Sequence, residues 1–153
     1  MRRWDAIGFL LAMWLTAVGG VWAQTPDSFS AYLDWVPISG SERDDVAGKG
    51  SATARLSRSL LSITGTFEGM VAPATRASLH QGVATGVHGP EIAELEITKT
   101  ASGTFDGKVT LSRGQREALL AGRLYLQLDG ERGVPPDNAV LWGWLFADRE
   151  VAH

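Results

Sequence analysis

Two of the chain's three histidines, His80 and His88, lie eight residues apart in ASLHQGVATGVHGPEI (77–92), and Glu91 follows three positions later. Imidazole and carboxylate together are ligands for zinc or copper, and imidazole alone is suited to proton transfer near neutral pH. Either chemistry needs convergence. Alternate residues of a strand share a face about 7 Å apart, so a His-x-His pair could chelate one ion. Ser78 stands two places before His80, so that pair is broken, and His88 can join His80 only if the glycine run folds back. Gly82, Gly86 and Gly89 supply such a turn, with positive φ open to each. Two imidazoles still need a third ligand, for which Glu91 is the candidate, and the remaining histidine is the last residue, His153. The competing reading needs no metal: His80 is a partly buried strand residue whose ring N–H donates to a loop carbonyl.

Other chemistries find less. No serine sits in G-x-S-x-G, and GKGS (48–51) lacks the spacing and the lysine–serine adjacency of a phosphate-binding loop. The absence of cysteine excludes disulfides, zinc–thiolate sites and thiol catalysis together. Glu94 and Glu96 alternate with Ala93, Leu95 and Ile97, which describes the solvated face of a strand. Glu42, Asp44 and Asp45 lack a calcium-loop pattern. No residue is assigned a catalytic role, no cofactor is expected, and the protein is read as a non-enzyme.

The first 23 residues read as a secretory signal peptide: Arg2 and Arg3, then the apolar IGFLLAMWLTAVGGVWA, with Val21 and Ala23 as the small residues before a cut. Cleavage after Ala23 puts the domain, residues 24–153, in the periplasm or outside the cell, with no membrane span left. Losing Arg2, Arg3 and Asp5 leaves 12 basic and 16 acidic side chains, a mildly acidic surface that argues against nucleic acid as a partner.

The elements that would position these residues are short alternating runs between glycine and polar turns. Phe29, Ala31, Leu33 and Trp35 form one face of a first strand; Ala52, Ala54 and Leu56 mark a second, and Leu61, Ile63, Gly65 and Phe67 a third. ISGSERDDVAGKG (38–50) is a polar connection. RASLH is a fourth strand; Ala93, Leu95 and Ile97 mark a fifth, and Phe105, Val109 and Leu111 a sixth, with Gly103 and Gly107 at bends or bulges. LSRGQREALLAGR carries one short helix, capped by Ser112 and Gln115 and ended by Gly122. RLYLQLDG and AVLWGWLF are two further strands, separated by ERGVPPDN, whose Pro135 and Pro136 forbid a continuous strand. The expected fold is all-β: an antiparallel β-sandwich or barrel of about eight strands with one short helix.

The order of motifs resembles the CHRD domain family, first described in chordin and also found singly in exported bacterial proteins. Ala77, His80, Gly82, Gly86, Gly89 and Pro90 match its A-H-I-H-x-G-x-x-G-x-x-G-P segment. Leu111, Ser112, Gln115, Leu119, Gly122, Leu124 and Tyr125 match its L-S-x-x-Q-x-x-x-L-x-x-G-x-L-Y-V segment. VLWGWL (140–145) matches the closing G-E-I-R-G-Q-L strand only at its apolar positions and Gly143. The resemblance spans roughly Phe29 to Phe146. It implies an immunoglobulin-like fold outside the cytoplasm, association rather than catalysis, and a fold relation to copper–zinc superoxide dismutase that carries no activity with it.

The closing strand departs from that pattern. Val140, Trp142, Trp144 and Phe146 occupy the face the family keeps polar, while Leu141, Gly143 and Leu145 hold the other. Either the helix or the ERGVPPDN loop covers the first face, or it meets a protein partner or a second copy of the chain. The functional expectation is an exported binding domain. Its rival is a copper- or zinc-binding or superoxide-handling protein that uses His80 and His88.

Overall fold

The computed structural model describes residues 25–149. The expected signal peptide, its cleavage point and His153 lie outside that range. Nine strands and one helix follow in order: β1 (Ser28–Trp35), β2 (Lys49–Ser57), β3 (Leu60–Glu68), β4 (Ala74–Gln81), β5 (Glu91–Ile97), β6 (Gly103–Thr110), α1 (Arg113–Leu120), β7 (Leu124–Val134), β8 (Ala139–Trp144) and β9 (Phe146–Ala147). Every pairing is antiparallel, in the order β2-β3-β6-β5-β4-β7-β8-β1, and β1 pairs back onto β2. Eight strands therefore close an all-β barrel, the second of the two architectures expected, and β9 adds a short pairing to β1.

Period-two alternation builds the wall. Phe29, Ala31 and Leu33 point into the core from β1, and Ala52, Ala54, Leu61, Ile63 and Phe67 continue it across β2 and β3. Trp35 does not join them. It sits at the barrel's end, exposed, with its indole N–H donating to the Gly48 carbonyl at 3.0 Å, and Val36 is buried instead. The 38–50 connection is anchored rather than free, because Val46 enters the core.

Gly103 and Gly107 mark no bulge, since β6 keeps regular register with β3. They make room: a Cβ on Gly107 would lie 2.6 Å from the Leu95 side chain, and one on Gly103 would lie 2.7 Å from that of Thr98. The register shifts fall instead in β4 at Ala74/Arg76 and Leu79/His80, and in β7 near Asp129. Bulges re-aim side chains. These lie on the wall that carries the histidine.

The helix forms as its sequence requires. Ser112 Oγ accepts from the Gln115 amide at 3.2 Å and Gln115 Oε1 accepts from the Ser112 amide at 2.8 Å, closing a capping box. At the other end Gly122 takes φ +68°, its N–H donating to Leu119 O and that of Arg123 to Ala118 O, a Schellman ending.

Candidate functional site

Ala77, Ser78, Leu79 and His80 of β4 are all buried, so both faces of this strand are covered. Ala77 and Leu79 face the core; Ser78 and His80 face outward. The Gly82–Pro90 segment folds back over them and provides the cover. Two of its three glycines serve close approach rather than unusual dihedrals. A Cβ on Gly89 would lie 1.8 Å from the Gln81 carbonyl oxygen, and one on Gly82 would lie 2.3 Å from that of Val87; of the three, only Gly86 has positive φ.

His80 is 8 % exposed and holds the fold-back in place. Its Nδ1 lies 3.0 Å from the Gly89 carbonyl oxygen. A carbonyl only accepts, so Nδ1 carries the proton, and in the neutral ring Nε2 accepts from the Ser78 hydroxyl at 2.9 Å. The imidazole stacks on Tyr125 with ring centroids 5.0 Å apart. Tyr125 grips the same loop residue: its hydroxyl accepts from the Gly89 N–H at 3.0 Å and donates to the Gly89 carbonyl at 3.2 Å. Burial pushes the Tyr125 phenol up from its ordinary value.

His88 does fold back, onto aromatic rings. It stacks on Trp142 at 4.7 Å and meets Tyr125 edge-on at 6.1 Å, and Tyr125 packs against Trp144 at 4.5 Å. Glu91 turns to an ion pair with Arg76, which also holds Glu94. Among the described residues no group of three or more His, Asp or Glu side chains is placed to hold a metal ion.

The closing-strand stripe does not form one surface. Val140 is buried in the core beside Gly130, because β8 pairs irregularly with β7 near Asp129. Trp142 and Trp144 are half-buried. Trp142 lies against His88 of the fold-back, and Trp144 packs near Gly82. Phe146 alone of the four is well exposed, at 52 %.

The family model for the CHRD domain matches residues 34–133, well over half of the chain. The chain belongs to the CHRD family. No match to this CHRD domain is found among curated proteins. The matched range encloses His80, His88 and Tyr125 and stops before Trp142 and Trp144.

Three buried polar residues of this CHRD domain escaped the sequence reading as site residues: Tyr125, Gln127 and Asp129 of β7. They alternate with Leu124, Leu126 and Leu128, which reads as an ordinary solvent-facing row. Here the row is covered. Gln127 Nε2 donates to Asp129 Oδ1 at 2.9 Å. Burial raises the Asp129 carboxyl above its ordinary value, against the lowering effect of the Gln127 bond; Asp137 raises it further, and Arg76 and His80 act the other way. A cavity of about 350 Å3 opens beside this row, between the fold-back and the 134–137 turn.

Proposed function

We propose that this chain is an exported, non-catalytic CHRD domain that works by holding a protein partner against one end of its barrel. The observation that carries this reading is a gathering of apolar side chains around the helix ending. Gly82 N–H donates to Arg123 O at 2.9 Å and Thr85 Oγ1 to Gly122 O at 2.7 Å, which brings the fold-back to the end of α1. Phe146 lies over Gly122. Val83, Val87 and Leu120 are exposed around the same point. Apolar side chains gathered on a surface mark sites of association. The family, a non-enzymatic one, supports the same reading.

Export rests on the signal-peptide pattern of residues 1–23 and on the family's extracellular occurrence. No helix among the described residues is long and apolar enough to cross a membrane. The copper- or zinc-binding reading has less behind it, because both ring nitrogens of His80 already have protein partners and Glu91 is paired with Arg76.

Site-specific photocrosslinking in the producing cell tests the association. A crosslinking residue in place of Phe146 should give a discrete adduct, to another protein or to a second copy. One in place of Lys108, on the solvent face of β6, should give none. Equal yields, or no adduct from position 146, would contradict the proposal.

A further inference from the structure

The cavity beside β7 has walls of two kinds. Val36, Pro37, Pro135 and Pro136 give it an apolar lining. Its polar side chains accept hydrogen bonds more than they donate. The Tyr125 hydroxyl is used in both directions by Gly89, and both His80 nitrogens are engaged. Gln127 is different. It is 3 % exposed, its amide nitrogen is committed to Asp129, and its Oε1 has no partner among the described residues. No side-chain nitrogen or oxygen among those residues is both sealed from solvent and unpartnered, so this oxygen faces the cavity that Gln127 lines. Asp137 adds a carboxylate on the same wall.

The charge around this acceptor is negative. Asp129 stands two residues from Gln127 on the same strand face, and the nearby cation, Arg76, is held by Glu91 and Glu94. His88 is exposed and can donate from the rim, and its ring also offers a π face. A volume of about 350 Å3 is in the range of small-ligand pockets.

We propose that this cavity binds an organic cation, an ammonium or guanidinium on a short aliphatic stem. The cationic N–H groups donate to Gln127 Oε1 and the Asp137 carboxylate, the stem lies against the apolar lining, and the His88 ring faces the charge. The same chemistry is presented by a free alkylamine and by a lysine or arginine side chain of another protein. This site is separate from the apolar end of the barrel and stands or falls independently of it.

The test is a 1H–15N shift titration of residues 24–153 with n-butylammonium and n-butylguanidinium, using n-butanol and butyrate as the neutral and anionic controls. The Gln127 side-chain amide and the Gly89 amide should shift saturably with a cation and not with either control. Asp137→Asn, an exposed change that leaves the barrel intact, should weaken binding about fivefold. Asp106→Asn, on the far wall, should leave it unchanged. N-acetyl-lysine and N-acetyl-arginine methylamides, run beside the free amines, distinguish the two sources by which binds more tightly. Equal shifts with butyrate, no saturable shift with any cation, or binding indifferent to Asp137→Asn would overturn the proposal.

Discussion

Both ring nitrogens of His80 are engaged, so changing this residue frees two partners at once. His80→Ala leaves the buried Ser78 hydroxyl unpaired and removes the ring stacked on Tyr125. Loss of a buried partner costs about 1–3 kcal/mol, so the variant should unfold at clearly lower urea with no dependence on added metal. Asp129 makes a different prediction. Its carboxyl is raised in the fold, so the folded state holds a proton more firmly than the unfolded chain, whose Asp titrates near pH 4. The stability linked to this group is therefore present at low pH and lost as pH rises through the folded value. Asp129→Asn should be more stable than the parent at neutral pH, by a margin that shrinks on acidification. Urea unfolding of the two proteins from pH 7 downward checks this; a margin independent of pH would show that the buried carboxyl carries no such penalty.

At the scale of elements, the helix and the fold-back loop hold the outer wall in place. Ser112→Ala removes one cap acceptor and should cost about 1 kcal/mol. Gly122→Val should cost more, because φ +68° disfavours a β-branched residue and a Cβ there would lie 2.9 Å from the Phe146 ring. Equal urea midpoints for both variants and the parent would contradict the cap assignment. This helix was legible in the sequence because its capping signals are local: Ser112, Gln115 and Gly122 determine it without reference to the barrel. The strand cores were legible for the same kind of reason, since Phe29, Ala31 and Leu33 alternate whatever they pack against. The site was less legible. Which outward row lies under a loop depends on contacts distant in sequence, and nothing local to Tyr125, Gln127 and Asp129 marks them as covered. The role of Gly89 was equally hidden, because its constraint is the Gln81 carbonyl across the fold-back.

For the whole molecule, the barrel closes on itself and leaves Val83, Val87, Leu120 and Phe146 exposed near the α1 ending, with Trp144 next to the fold-back. Trp142→Ser with Trp144→Gln removes rings that are half-buried, so the loss should fall below the roughly 3–5 kcal/mol each of full core truncations. The same double change should loosen the fold-back, seen as faster amide exchange at His88 and Gly89. A melting temperature and exchange rates equal to the parent's would make these tryptophans incidental surface. We infer that the histidine and aromatic cluster is a structural clamp within a binding domain rather than a metal or catalytic centre. Calorimetric titration of zinc and copper into residues 24–153 tests it most directly. No stoichiometric binding and no change in melting temperature are expected on adding either ion; one tightly bound equivalent that disappears in His80→Ala would contradict the structural reading.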